Sequence, residues 1–273
     1  MTELIDLHLH PGWTDFFPQA REARSPAERA ARIALFLEKY RENGVILARD
    51  AGGFEGPQMD ACPVLPCVGM ITGANYGDAA FVEALCRGPG VWVKLFATGG
   101  VGAPTEAAAD PLIPENAVRR LIRALHARGK KVMVHCWGGP SLDWCAEESV
   151  DTLEHGVFMT EAQAAVLAEK GIPLIPTCCV YRLLAEEPAL FGIGPEFQEH
   201  AKRACEGQAR AILFALRQGV TIGYGTDFYA DPALAPYARR ELDALREYGL
   251  SEAQALAAGT SVARRVLGLS AEG

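Results

Sequence analysis

Four of the six histidines in this 273-residue chain follow short apolar segments, where their side chains could meet and bind a metal ion. His8 and His10 are separated by one residue, and His135 and His155 each close a later apolar segment. Asp227 follows a further segment of this kind. Imidazole nitrogens and a carboxylate are the ligands that zinc and similar divalent ions bind in proteins. A cluster of these five residues would support hydrolysis by a metal-activated water.

Each of these histidines also has an ordinary structural explanation. A single histidine at the end of a strand is more often a hydrogen-bonded core residue than a metal ligand, and one H-x-H pair is a weak motif. The distribution along the chain changes this balance, because only His126 and His200 fall in helical patterns. We therefore interpret the other four histidines and Asp227 as metal ligands.

Lys94 is unusual because it lies inside the apolar segment 91–96. A charged ammonium buried there would be costly unless it were paired or deprotonated. In one interpretation the aliphatic stem is buried and the charged end reaches the rim of the sheet. In the other, a neutral Lys94 reacts with carbon dioxide to form a carbamate, whose two oxygens can bridge two metal ions.

The elements that would position these side chains are short apolar segments alternating with helical patterns. We predict parallel strands at 4–8, 44–49, 64–70, 91–96, 131–135, 151–154, 172–176 and 220–223. Helices are predicted at 25–43, 114–128, 160–170, 195–218 and 232–248 from their start and stop residues. An open doubly wound sheet is the alternative to a closed barrel, but no dinucleotide-binding glycine motif follows the first strand. These patterns favour an α/β fold, a (β/α)8 TIM barrel forming one domain over residues 1–273, in which the strand ends meet at one rim.

The composition limits the classes of molecule that the protein is expected to bind. The formal net charge of −8 disfavours nucleic acid and anionic membranes. The N-terminus lacks the pattern of a signal peptide, no apolar run is long enough to span a bilayer, and the eight cysteines contain no C-x-x-C motif. We therefore expect a cytoplasmic protein with reduced thiols that acts on a small molecule.

Together, these residues resemble the motifs of the amidohydrolase superfamily, in particular its Xaa-Pro dipeptidase and imidazolonepropionase-related branch. The matching segments are 6–10, 49–53, 94–100, 134–135, 153–156, 176–177 with Tyr181, 225–227, 255–260 and 267–269. They occur in family order, and their combination is far more specific than any one of them.

The resemblance implies a barrel with one or two zinc ions, although manganese, cobalt or iron could take their place. His8, His10 and Asp227 would hold the more buried ion, and His135 and His155 the more exposed one. Carboxylated Lys94 would bridge the two ions. In such a binuclear site a metal-bound hydroxide is the nucleophile, and Asp227 is the general acid and base.

Departures from the family pattern fall on the substrate side. Relatives often carry a second histidine shortly after the one that corresponds to His135, whereas this chain has Trp137. The segment 69–77 also lacks the histidine expected of the dipeptidase-like branch. Trp137 and Tyr181 are the candidate substrate-binding residues, and packing at the barrel mouth is the alternative for Tyr181. The chain leaves no room for the small β-sandwich of many relatives, so we expect a barrel alone.

The leading hypothesis is hydrolysis of an amide or related carbonyl bond in a dipeptide, an N-acyl amino acid or a cyclic amide. The same residues would also support lactone or phosphoester hydrolysis, or ring deamination, although deaminases of this superfamily usually lack the bridging lysine. A non-enzymatic or degenerate metal-binding relative is the third hypothesis, against which the complete ligand set argues. Oligomeric state is left open, and a homo-oligomer would cover surface that the missing sandwich exposes.

Overall fold

The structure, a computed structural model, describes residues 2–56 and 58–270. The chain divides into two compact units, each formed from separate segments. The first unit contains Met1–Pro66, Thr177–Ile193 and Gly223–Gly273, and the second contains Cys67–Pro176 and Gly194–Ile222. Each unit has its own parallel sheet, so the chain is an α/β protein with parallel strands.

The described residues form eight strands and eleven α-helices. The strands are β1 Leu4–Leu9, β2 Val45–Asp50, β3 Val64–Leu65, β4 Cys67–Ile71, β5 Trp92–Phe96, β6 Lys131–Cys136, β7 Thr152–His155 and β8 Leu174–Ile175. The helices are α1 Pro18–Glu22, α2 Pro26–Glu42, α3 Ala79–Arg87, α4 Glu115–His126, α5 Gly139–Glu147, α6 Glu161–Lys170, α7 Cys178–Glu186, α8 Pro195–Gln218, α9 Arg240–Glu247, α10 Glu252–Ala258 and α11 Ser261–Leu267. Three 3-10 turns lie at Thr105–Ala107, Pro188–Leu190 and Ala235–Tyr237. None of the helices within the described ranges is long and apolar enough to cross a membrane.

The first sheet has the strand order β1-β2-β3, and all pairs are parallel. Every residue of β1 is buried, including the polar residues Asp6 and His8. The segment after Gly223 runs beside β1, since Leu7 N donates to Tyr224 O at 2.9 Å and His10 N donates to Phe228 O at 2.8 Å. Buried polar groups must be hydrogen-bonded, so this unit needs specific partners for the polar residues of β1.

The second sheet has the order β4-β5-β6-β7-β8, again with only parallel neighbours. Its central strands are apolar and buried, as expected when helices cover a parallel sheet. Lys94 lies in the middle of β5, whereas His135 and His155 lie at the carboxyl ends of β6 and β7. The register places His135 beside Phe96 and His155 beside Cys136.

The predicted helix boundaries agree well where local signals are strong. Ser25 and Glu28 form a capping box at the start of α2, and Thr160 and Gln163 form another at the start of α6. Each box satisfies backbone N–H groups that the first turn leaves without partners. Helix α8 has the predicted bounds and ends before Gly219, whose φ of 76° suits glycine.

Several predicted elements differ from the structure, and the strand predicted at 172–176 is shortened to β8. The strand predicted at 64–70 is divided into β3 and β4 at Pro66, because proline has no N–H to donate to a ladder. The strand predicted at 220–223 is reduced to a single bridge between Ile222 and Leu174. The helix predicted at 232–248 is a 3-10 turn followed by the shorter helix α9.

Candidate metal centre

His8, His10 and Asp227 converge in the first unit. Oδ1 of Asp227 lies 3.4 Å from Nε2 of His8 and 3.3 Å from Nε2 of His10. One possible ligand atom from each residue lies within 4.8 Å of the other two. The His8 and His10 side chains are buried, and the Asp227 side chain is 18% exposed. This arrangement offers two imidazoles and a carboxylate to one cation.

The backbone of β1 and of the segment after Gly223 creates this convergence. His8 and His10 are two residues apart on a strand, so their side chains share one side. Asp227 N donates to His8 O at 2.7 Å, which holds the carboxylate beside the first histidine. Asp227 also has φ of 57°, a left-handed conformation that is uncommon for a residue other than glycine. Such strained conformations persist where the surrounding structure imposes them, often at functional sites.

Asp6 ties the two segments together beneath the ligands. Its carboxylate accepts hydrogen bonds from His8 N at 2.8 Å, Thr226 Oγ1 at 2.7 Å and Tyr40 Oη at 2.5 Å. Burial raises the pKa of Asp6, and these hydrogen bonds oppose that effect. His8 is itself a ligand candidate, and Thr226 directly precedes Asp227. The hydrogen bonds of Asp6 to both residues therefore set the spacing between β1 and Asp227.

The tautomer of His10 follows from its second partner. Nδ1 of His10 lies 3.0 Å from Gly52 O, and a carbonyl only accepts, so Nδ1 carries the hydrogen. Asp50 Oδ1 accepts Gly52 N–H at 2.8 Å and so holds this carbonyl in place. In the neutral ring Nε2 then presents a lone pair to Asp227 Oδ1. Two electron-rich atoms at 3.3 Å need a proton or a cation to satisfy them, and this fits a divalent ion.

Lys94, His135 and His155 belong to the second unit. The His135 and His155 rings have centroids 4.5 Å apart at an interplanar angle of 65°. Lys94 is completely buried, and its Nζ lies 5.3 Å from the centroid of the Phe96 ring. His155 has φ of 73°, so this ligand candidate shares the left-handed conformation of Asp227. Two imidazoles this close together could offer ligand atoms to one metal ion.

His135 has a competing hydrogen bond. Its Nε2 lies 2.9 Å from Gly99 O, so this nitrogen carries the hydrogen and Nδ1 has the lone pair. Gly100 follows with φ of 122°, and a Cβ at this position would lie 2.9 Å from Nε2. Binding of a metal through Nε2 would require the ring to leave Gly99, so the bond to Gly99 favours Nδ1 as the ligand atom.

The two candidate substrate residues are both almost fully buried. Tyr181 lies in α7 rather than in a loop after a strand, and its side chain is among the largest that are fully covered. Trp137 directly follows β6; its backbone N–H donates to Thr98 Oγ1 at 3.0 Å, and its ring meets Phe158 edge-on at 5.7 Å. Their roles in substrate binding stay predictions.

Sequence reasoning did not single out several residues that surround the first ligand group. Asp6 belongs to the family-like segment 6–10, but the sequence alone assigned it no role. A carboxylate within a buried strand nevertheless indicates that a hydrogen-bonding partner lies nearby. Tyr40 and Thr226 have no local signal, because their bonds to Asp6 depend on packing. Trp13 stacks on His10 with ring centroids 3.9 Å apart, and its position three residues after His10 was the only available indication.

The chain is similar to known proteins over most of its length. Residues 4–272 match the model of the amidohydrolase family. An uncharacterized protein of Mycobacterium tuberculosis is 28% identical over 193 residues, which are 70% of this chain and 50% of that protein. The chain therefore spans about half the length of the mycobacterial relatives that it matches.

Two solved structures are similar in fold. A prolidase complexed with N-methylphosphonate-L-proline superposes with a TM-score of 0.84 at 22% identity, covering 99% of this chain and 75% of that one. A Xaa-Pro dipeptidase with bound methionine in the active site gives a TM-score of 0.80 at 19% identity, covering 98% of this chain and 75% of that one. At these identities the likeness shows a shared fold and leaves the substrate open.

Proposed function

The chain belongs to the amidohydrolase family, and on this basis we propose that it is a metal-dependent hydrolase of an amide or related carbonyl bond. The observation that carries the proposal is the group formed by His8, His10 and Asp227, whose possible ligand atoms lie within 4.8 Å of one another. A partly buried carboxylate facing two buried imidazoles has a clear use as a cation site. We also propose that residues 1–273 form a single (β/α)8 barrel domain, as the resemblance implies.

We propose a binuclear site. His8, His10 and Asp227 would hold one divalent ion, His135 and His155 a second, and Lys94, carboxylated on Nζ, would bridge them. Zinc is the metal that this ligand set favours, and manganese, cobalt and iron are alternatives. Such ions supply a Lewis acid that polarises the scissile carbonyl and acidifies water.

Carboxylation of Lys94 is chemically reasonable in its setting. The side chain is completely buried in an apolar strand, and burial disfavours the charged ammonium. The neutral amine would form a bond from Nζ to the carbon of carbon dioxide and release one proton. The product is an anion, so it would need nearby cations, and the proposed ions would supply them.

Asp227 has the central role in proton transfer. Its carboxylate would accept a proton from the attacking water and return it to the leaving nitrogen as the C–N bond breaks. The side chain is 18% exposed, so water can reach it, while His8 and His10 fix the position of Oδ1. Asp6 would act at a distance from the reaction by holding both segments that carry these residues.

The substrate class follows only from the relatives and stays a proposal. Similar folds occur in a prolidase and in a Xaa-Pro dipeptidase, so dipeptides, N-acyl amino acids and cyclic amides are the first compounds to consider. Tyr181 and Trp137 are the proposed substrate contacts. The cytoplasmic location and homo-oligomer formation considered from the sequence also stay predictions.

One experiment tests the proposal. The protein, purified with its metal, is incubated with libraries of dipeptides, N-acyl amino acids, cyclic amides, lactones and phosphoesters, and its metal content is measured by elemental analysis. We expect turnover of at least one amide class, lost in His10→Ala and kept in His200→Ala. Turnover of only lactones or phosphoesters would change the bond assigned. A fully metallated protein that is silent on every class would favour the non-enzymatic hypothesis.

A further inference from the structure

The loop after β1 places an aromatic ring directly on one proposed metal ligand. The His10 imidazole and the Trp13 indole are nearly parallel, with ring centroids 3.9 Å apart and an interplanar angle of 6°. We propose that Trp13 is a positioning residue that holds the His10 ring in the orientation needed for metal binding, with Arg21 supporting it from the other side. This inference rests on the proposed metal site.

Stacking and hydrogen bonding restrain His10 in different directions. The bond from Nδ1 to Gly52 O, at 3.0 Å, sets which ring edge faces Asp227. This one bond does not fix the plane of the ring, and rotation about it would move Nε2 away from Asp227 Oδ1. An indole packed against the imidazole face opposes that motion, since tilting the imidazole would break the stacked contact between the two rings. Together the two contacts fix both the direction and the plane of the ligand.

Trp13 is itself held on several sides. The Arg21 guanidinium carbon lies 4.4 Å from the indole centroid, and His10 already covers one face, so the cation lies over the other. The backbone of Trp13 donates to His10 O at 3.0 Å and accepts from Ala230 N at 2.6 Å. Ala230 follows Asp227 by three residues, so Trp13 is anchored to both segments that carry the first ligand group.

Two glycines make room for this arrangement. A Cβ on Gly53, where φ is 96°, would lie 2.5 Å from Nε1 of Trp13. A Cβ on Gly12 would lie 1.7 Å from Gly53 O. Any other residue at these positions would push the two loops apart and displace the indole. The close approach of the Gly53 backbone to the indole indicates that the surrounding loops fix the position of Trp13.

A packing role and a positioning role make different predictions. If Trp13 only fills space, its loss lowers the melting temperature and leaves metal affinity unchanged. If it positions His10, its loss weakens metal binding, and another aromatic ring restores part of it. Groups that orient metal ligands from outside the first shell commonly contribute about 10- to 100-fold to affinity.

The test measures zinc dissociation constants by competition with a chromophoric chelator, together with the visible absorption spectrum of the cobalt(II) form. Trp13→Leu should bind zinc roughly 10-fold more weakly or worse and show an altered cobalt spectrum. Trp13→Phe should recover most of the affinity. Arg21→Met, which keeps the apolar stem, should weaken binding by about two- to fivefold. Trp144→Leu, which removes a half-buried tryptophan of α5, is the matched control and should bind as wild type does.

The outcomes separate this inference from the proposed function. Wild-type affinity and spectrum in Trp13→Leu, with zinc bound normally by wild type, would overturn the positioning role alone. A wild type that binds no zinc or cobalt would overturn the metal site and the positioning role together. If Trp13→Leu does not fold, Arg21→Met decides: zinc affinity equal to that of wild type in Arg21→Met would contradict the proposal.

Discussion

The hydroxyl of Tyr40, on α2, lies 2.5 Å from Oδ2 of Asp6 on β1, and both side chains are completely buried. This bond connects a helix to the strand that carries His8 and His10. Thr226, which precedes Asp227, donates to the same carboxylate oxygen at 2.7 Å. The proposed ligand group is therefore supported by a buried hydrogen-bond network.

Tyr40→Phe removes one donor to a buried carboxylate without changing the ring. We expect the free energy of unfolding to fall by about 1–3 kcal/mol, because the buried carboxylate keeps its desolvation cost while it loses one of the donors that offset this cost. Urea denaturation followed by circular dichroism measures this change. Tyr76→Phe, at a half-exposed tyrosine between β4 and α3, should alter stability far less. Equal stability of the Tyr40 and Tyr76 variants would show that the network adds little.

Asp227→Asn tests the proton-transfer role. The amide has nearly the same shape as the carboxylate but cannot take up a proton from water. We expect kcat on the best substrate from the library to fall by about 10²–10⁴-fold, while the circular dichroism spectrum stays unchanged. Full activity of the variant would refute the assignment of Asp227 as general acid and base.

Lys94→Ala tests the bridging carbamate. Wild-type protein should contain close to two divalent ions per chain, and the variant should lose one or both together with its activity. Elemental analysis after dialysis measures the content. Lys170→Ala, on the exposed end of α6, serves as the control lysine. Retention of both ions by the Lys94 variant would exclude the carbamate bridge.

Glu241 provides a prediction about pH. Its carboxylate is completely buried and accepts N–H bonds from Cys178 at 3.1 Å and Cys179 at 2.6 Å, at the start of α7. Burial raises the pKa of Glu241 from 4.5 to about 8, although the two backbone bonds act in the opposite direction. Between these values the folded protein holds a proton that the unfolded chain releases.

The free energy of unfolding should therefore decrease as pH rises from about 4.5 to about 8, by an amount on the order of 1 kcal/mol for each pH unit. Glu241→Gln cannot ionise and should lose less stability over this range. Urea denaturation of both proteins at pH 5, 6.5 and 8 gives the comparison, with Glu252→Gln at the exposed start of α10 as control. Parallel pH profiles for wild type and Glu241→Gln would contradict the prediction.

Gly207 allows α8 to approach the segment that follows His155. An added Cβ would lie 2.7 Å from Val157 O and 2.8 Å from the Phe158 ring. Alanine normally stabilises a helix interior by about 0.5–1 kcal/mol relative to glycine, but overpacking costs about 1–3 kcal/mol. We expect Gly207→Ala to lower the melting temperature, whereas Gly102→Ala, with no atom within 4 Å of its added Cβ, should leave it nearly unchanged. A more stable Gly207 variant would show that this contact relaxes easily.

Sequence alone determined the features that depend on near neighbours. The cap residues Ser25 and Thr160 marked two helix starts, because each cap accepts from a backbone N–H only three residues further along the chain. The spacing of His8 and His10 placed both on one side of β1, since strand side chains alternate. Family motifs in order along the chain indicated the amidohydrolase family, and the match over residues 4–272 confirms this.

Only the tertiary structure decided which distant residues meet. Asp6 and Thr226 are 220 residues apart along the chain, and Glu241 caps α7 from more than 60 residues away. The strand predicted at 220–223 is reduced to a single bridge between Ile222 and Leu174, because backbone pairing overrode the local apolar pattern. The stack of Trp13 on His10 depends on Gly12 and Gly53 allowing two loops to touch. Local propensity acts over a few residues. The contacts described here form only when folding buries polar groups and aromatic rings from separate segments against one another.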